Sequence, residues 1–223
     1  SKYEETALYQ KASAWHEANG LVEEAVHYAL ASGDPDFTAE AIERALKKDD
    51  TWSGGNLTLL LSWLESLPQE VFGNRPELSL HASRILYLVG RLEQSEARID
   101  QAERALDSQP ETPGLEQMYA LAMLYRGAIA SARGDFERAI EQTTLAQARL
   151  PAENHLAHAR AFYSLGLAYD VAAQTGLAVE NYMKSSQEAR AAGVLFLVVN
   201  ALGAAAQLQM KQSHFSQAVQ TCQ

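Results

Sequence analysis

The chain has 223 residues, 28 acidic against 18 basic, for a formal charge of −10, and a single cysteine, Cys222. A lone cysteine excludes a disulfide framework, and 47% apolar with 21% charged residues describes a chain that builds a core. The acidic balance and the lack of any Lys/Arg cluster argue against nucleic acid as a direct partner, because that affinity rests on counterion release at a basic patch. The longest apolar run, 194–199, falls far short of the roughly 20 residues a spanning helix needs, and no signal-peptide succession opens the sequence. Membrane contact is therefore not expected, and a cytoplasmic location is. The absence of an initiator Met, and a Gln223 that follows a mid-helix pattern, lead us to expect a piece of a longer protein.

In chain order, the apolar rhythm of about 3.6 residues predicts helices over 4–19, 21–32, 36–47, 56–66, 76–89, 91–108, 115–133, 136–150, 153–173, 177–192, 194–210 and from 214 onward. The six prolines, at 35, 68, 76, 110, 113 and 151, fall between these segments or at the first residue of one, where proline starts or ends a helix. Only 194–199 reads equally well as a short buried strand. The fold class expected is all-α.

The helices repeat in pairs. Gly134-Asp135-Phe136-Glu137-Arg138-Ala139-Ile140 is a turn that opens a helix, and its echoes begin at Gly20, Gly90, Ala173 and Ser213. The last four turns, at 90, 134, 173 and 213, stand 44, 39 and 40 residues apart. Each needs a left-handed residue to end the first helix and a small residue where the two helices approach most closely. Phe162, Leu165, Gly166 and Tyr169 set a large, a small and an aromatic residue at tetratricopeptide-repeat spacing. The expected architecture is a stack of antiparallel helix pairs, a TPR-like superhelical array. Residues 1–75 are expected to be a helical segment joining an upstream module to it, and 76–223 the array proper.

Two stretches carry a sharper resemblance. Ala14-Trp15-His16, Gly20-Leu21-Val22-Glu23-Glu24-Ala25-Val26-His27-Tyr28-Ala29-Leu30 and Gly33-Asp34 resemble a segment of the MalT-like regulators, the large ATP-binding LuxR-type transcription activators of bacteria. Trp63-Leu64-Glu65-Ser66-Leu67-Pro68-Gln69-Glu70, followed by Arg75-Pro76-Glu77-Leu78, is similar to that family's entry into its helical-repeat domain. Asp34-Pro35-Asp36-Phe37 and the loop Thr51-Trp52-Ser53-Gly54-Gly55 depart from the pattern. The resemblance implies a non-enzymatic sensor domain that receives a small-molecule inducer or a regulatory protein and controls self-association. It also places ATP, the family's cofactor, only in an upstream domain; no GxxxxGK[ST] phosphate loop occurs here and no cofactor is expected in this chain. The alternative is a general TPR-type peptide-binding scaffold with no transcriptional role.

The residues that could carry other chemistry have plainer explanations. His155 and His158, three apart beside Glu153, could approach a metal, but a zinc site wants three or four convergent ligands with second-shell support. Cys222 has no evident base and is expected to lie with Phe215 and Ala218 on an incompletely covered apolar face that a further helix would cover. Glu23-Glu24, Asp49-Asp50 and Glu103-Arg104 read as solvated helix faces, and Trp15, Trp52 and Trp63 as anchors of a domain junction. Counting back 13, 10, 6 and 3 residues from each turn traces one helical stripe that would line the concave side of a superhelix. It supplies the candidate binding residues Arg84, Tyr87, Leu124, Ser131, Arg160, Tyr163, Asp170, Asn200 and Gln207. Arg160→Ala or Tyr163→Ala is expected to cost little stability. Arg126 should either snorkel from a core position or mark a shift of register.

Overall fold

The computed structural model describes residues 2–48, 56–108, 114–212 and 215–222, the side chains of Lys2, Phe215 and Cys222 excepted. Trp52 and the rest of the 51–55 loop, and the turn residue Ser213, lie outside it. The helices among the described residues are α1 (Lys2–Ala18), α2 (Val22–Ala31), α3 (Pro35–Lys47), α4 (Leu57–Glu65), α5 (Pro76–Leu88), α6 (Leu92–Asp107), α7 (Leu115–Ala132), α8 (Phe136–Arg149), α9 (His155–Val171), α10 (Thr175–Ala191), α11 (Leu195–Lys211) and α12 (Phe215–Cys222). No strand occurs among the described residues, and the ambiguous run 194–199 enters α11. A 3₁₀ helix at Gln69–Asn74 is the element that the apolar rhythm does not announce.

Side chains set the helix starts. Asp34 accepts hydrogen bonds from the Asp36 and Phe37 N–H groups with Pro35 in the first helical turn, so the Asp-Pro departure is the cap of α3. Asn56, Asp135 and Asn154 cap α4, α8 and α9 in the same way, each accepting from the N–H three residues on. The helix ends repeat one device. After α5, α7 and α9 the residues Gly90, Gly134 and Ala173 take positive φ, and the next N–H reaches back five residues, Arg91 to Leu86, Asp135 to Ala130 and Gln174 to Tyr169, at 2.8–2.9 Å.

The chain forms two compact units, 1–109 and 110–223. In the first, α1 packs on α2, α2 on α3, and α5 on both α4 and α6. Its core gathers Ile42, Leu46, Trp63, Leu67, Phe72, Leu78 and Ile85, so the apolar residues of the 63–72 segment pack inward while Glu65, Ser66, Pro68, Gln69 and Glu70 stay exposed. In the second, α7 packs on α8, α9 on both α8 and α10, and α11 on both α10 and α12.

Small residues make the close approach in each pair. Seven residues before the turn stand Ser13, Ser83, Gly127, Gly166 and Ala206; five after it stand Ala25, Ser95, Ala139, Ala178 and Ala218, and all ten are buried. Where serine is used its hydroxyl is satisfied within the contact, Ser13 Oγ donating to the Ala25 carbonyl at 2.7 Å and Ser95 Oγ to the Ser83 carbonyl at 2.8 Å. Arg126 stands eight residues before its turn, a position filled elsewhere by the buried Ala82, Leu165 and Ala205. It is half-buried and engaged by a neighbour, so the register runs through it unshifted.

Candidate functional site

Of the nine stripe residues, Arg84 and Tyr87 belong to α5 in the first unit and the other seven to the second. Arg84 and Tyr87 are half-buried and engaged with neighbouring groups. Leu124 is buried, which corrects its reading as a groove-lining residue; its helix α7 packs on both α8 and α9. Ser131 and Asn200 are half-buried and Gln207 is exposed.

The α9 row is the most developed. Its backbone starts from the Asn154 cap and ends at the left-handed Ala173, which fixes the stripe Arg160, Tyr163, Leu167 and Asp170 along one side. Tyr163 packs on Tyr182 of α10, and the charge of Asp170 acts on the same phenol. The two tyrosine rings lie edge to face, centroids 5.4 Å apart at 61°. Burial pushes the Tyr182 phenol well above its ordinary range, and neighbouring Tyr163 and the Asp170 carboxylate add to the shift. Burial raises the Tyr163 phenol as well. Both phenols are therefore neutral at physiological pH, Tyr182 is buried, and Arg160 and Asp170 set a cation and a carboxylate on the same side of α9 as Tyr163. Such a row can hydrogen-bond a polar backbone and pack an apolar side chain, but it holds no nucleophile paired with a base.

Tyr163 differs from the sequence expectation. It is half-buried and touches the cluster built from Ala178, Tyr182, Ala205 and Leu208, so truncating it is not a surface change. Tyr182 itself is the residue that sequence reasoning missed. The signal lay in the register: nine residues after the turn stand Ile99, Thr143 and Tyr182, each the buried inward side chain of a second helix.

The histidine pair is pulled apart by separate partners. His155 Nδ1 lies 2.8 Å from Glu188 Oε2, and His158 Nε2 lies 3.1 Å from the Pro151 carbonyl. Among the described residues no three His, Cys, Asp or Glu side chains converge as metal ligands. Trp15 is exposed and Trp63 buried, so these two do not share one role. Ala218 is buried, while Phe215 and Cys222, expected beside it, have side chains outside the described set. No helix is long and apolar enough to cross a membrane among the described residues.

No protein-family model matches the chain. Among curated proteins it is similar to the serine/threonine-protein kinase PknK of Mycobacterium tuberculosis (strain ATCC 25618 / H37Rv) and of Mycobacterium bovis (strain ATCC BAA-935 / AF2122/97), at 30% identity over 99 residues. That match takes in 44% of this chain and only 9% of the kinase, so it carries no kinase activity over. Among solved structures, MamA superposes with a TM-score of 0.55 at 16% identity, over 84% of this chain and 93% of MamA. PilW, described as a widely conserved type IV pilus biogenesis factor, does so with a TM-score of 0.55 at 17% identity, over 97% of each chain. At such identities the likeness speaks for the fold alone. With the helix pairs above, it makes this chain a TPR-like, all-helical repeat array.

Proposed function

We propose that the chain is a protein-interaction scaffold that holds an extended peptide along the first helices of its second unit. The observation that carries this reading is the α9 row, in which Arg160, Tyr163 and Asp170 set a cation, a neutral phenol and a carboxylate along one helix side, with Asn200 and Gln207 on α11 as further contacts. Ser131 is the equivalent residue of α7 in the same unit, and Arg84 and Tyr87 hold the equivalent positions of α5 within the first unit. Selection of peptides from a random display library on the full chain tests it. Selected peptides should bind Arg160→Ala, Asp170→Asn or Tyr163→Phe more weakly by about 1 kcal/mol or more, the scale of an interface anchor. Equal binding to all three variants would remove the row from the function. Tyr163→Phe is the informative change there, because it keeps the ring that packs on Tyr182.

A second, finer reading is the sensor domain of a MalT-like transcription regulator, with residues 1–75 joining an upstream module to the array and an inducer taking the place of the peptide. The ordered pair of segments, 14–34 and 63–78, favours it. A full-length gene with neither a phosphate-loop module before this region nor a helix-turn-helix after it would sink this reading. A thermal-stability screen against small sugars and metabolites tests the inducer, since a ligand at a hundred times its Kd stabilises by about 2.7 kcal/mol.

A further inference from the structure

The end of α9 carries an open face although helices flank it on both sides. Twelve and five residues before the turn at Ala173, Ala161 and Ala168 are covered, Ala168 clustering with Ala130 and Ala139 of the preceding pair. On the other side Tyr163 and Tyr169 join Ala178 and Tyr182 of α10 and Ala205 and Leu208 of α11. Leu167 and Val171 remain 37% and 60% exposed, with the half-buried Asp170 between them and the half-buried Tyr163 one turn before Leu167 on the same face.

Three polar groups around this face have no partner within the protein. Among the described residues the Asp170 carboxylate makes no ion pair or hydrogen bond, and the hydroxyls of Tyr163 and Tyr182 make no hydrogen bond. Tyr182 is 1% exposed, and a tyrosine so buried ordinarily bonds its hydroxyl. The Asp170 charge reaches that phenol, and the Tyr163 ring lies 5.4 Å from the Tyr182 ring, so the three groups are neighbours.

The group that suits all three is a cation. Asp170 repels an anion, and a neutral group leaves its half-buried charge uncompensated. Asp170 also stands in the last turn of α9, where the carbonyl end of the helix favours positive charge and that turn holds no basic residue. Lys184 is held by Glu180 at 2.7 Å, and Arg160 stands ten residues back, about 15 Å along the helix axis. Phenol oxygens accept hydrogen bonds as well as donate them, so one ammonium or guanidinium can bond the carboxylate and both phenols. We propose that the Asp170 end of the row binds a lysine or arginine side chain of the peptide, its charged head on Asp170, Tyr163 and Tyr182 and its aliphatic stem along Leu167 and Val171.

The cation site rests on the peptide reading of the row, and peptide binding separates the two. Peptides selected on the full chain from a random display library should carry a lysine or arginine. Its replacement by glutamine should weaken binding to the wild type about tenfold or more, and to Asp170→Asn about twofold at most. Tyr182→Phe, which keeps the packed ring, should melt no lower than wild type and yet bind the basic peptide more weakly. Selected peptides without a basic residue, a glutamine replacement that costs the same on wild type and Asp170→Asn, or full affinity for Tyr182→Phe would each overturn the cation site; weaker binding of the same peptides to Arg160→Ala would then leave the row standing. Peptides that bind Arg160→Ala, Asp170→Asn and Tyr163→Phe as tightly as wild type would overturn row and site together.

Discussion

Gly166 stands where α9 meets the ring of Tyr182, and a β-carbon there would lie 2.7 Å from two ring carbons. Gly203, also inside a helix, has nothing within 4 Å of the same point. Replacing either glycine by alanine removes a helix-propensity penalty of about 1 kcal/mol, but at Gly166 overpacking costs about 1–3 kcal/mol. Chemical denaturation should therefore show Gly166→Ala less stable than wild type and Gly203→Ala more stable, the opposite signs separating close approach from propensity. Ala173 provides the converse case, because its φ of 57° is the left-handed conformation that glycine adopts after α5 and α7. A β-carbon in that conformation costs about 1–2 kcal/mol, part of which glycine gives back through its freer unfolded state. Ala173→Gly should raise the melting temperature; a lowered one would mean that the turn is not held as described. At this scale the turns were legible because glycine or its substitute had to sit there. The partial burial of Tyr163 and the full burial of Leu124 were not, because a stripe on one helix says nothing of how large its neighbour's side chains are, and Tyr182 is large.

Between elements, two ion pairs join α3 to the start of α5 beside their shared apolar core, Lys47 to Glu77 at 2.8 Å and a cluster around Arg75. Arg75 Nη1 donates to Glu43 Oε2 at 3.0 Å, and Nη2 lies 3.4 Å from Asp36 Oδ1 and 3.6 Å from Glu40 Oε1. Burial holds the Glu43 carboxyl above its ordinary range, and Arg75 opposes that shift. A raised carboxyl binds its proton more tightly in the folded state. The ionised group therefore costs stability at neutral pH, and the cost is relieved as pH falls through the folded-state pKa toward the ordinary carboxylate range. Removing the guanidinium raises that pKa further. Arg75→Ala should lose about 2–3 kcal/mol at neutral pH, with a deficit that shrinks on acidification. A deficit independent of pH, in denaturation curves taken across the acidic range, would show that Glu43 is not the group Arg75 compensates. The helices were readable from apolar rhythm and punctuation, and Asp34-Pro35, a departure from the family pattern, is the cap of α3. The 3₁₀ segment at Gln69–Asn74 was not readable, since one short turn of three residues per repeat leaves no 3.6-residue rhythm.

For the whole molecule, a single register links what is packed to what is open. The same count back from each turn finds a small residue at the helix crossing, an apolar residue toward the preceding pair, and the row that carries Arg160, Tyr163 and Asp170. That register was visible in the glycine spacing, whereas its consequences for exposure depended on which pairs have a neighbour. The peptide row follows from it, so it is the claim to test first. Cysteines introduced singly into a Cys222→Ser background, at Leu8, Trp15, Ala161 and Ala168, report it through thiol-labelling rates of the native monomer at high dilution. All four occupy the two positions that face a preceding pair. The account predicts fast labelling at 8 and 15 and slow labelling, limited by unfolding, at 161 and 168. Fast labelling at 161 and 168, or protection at 8 and 15 in the monomer, would contradict the register.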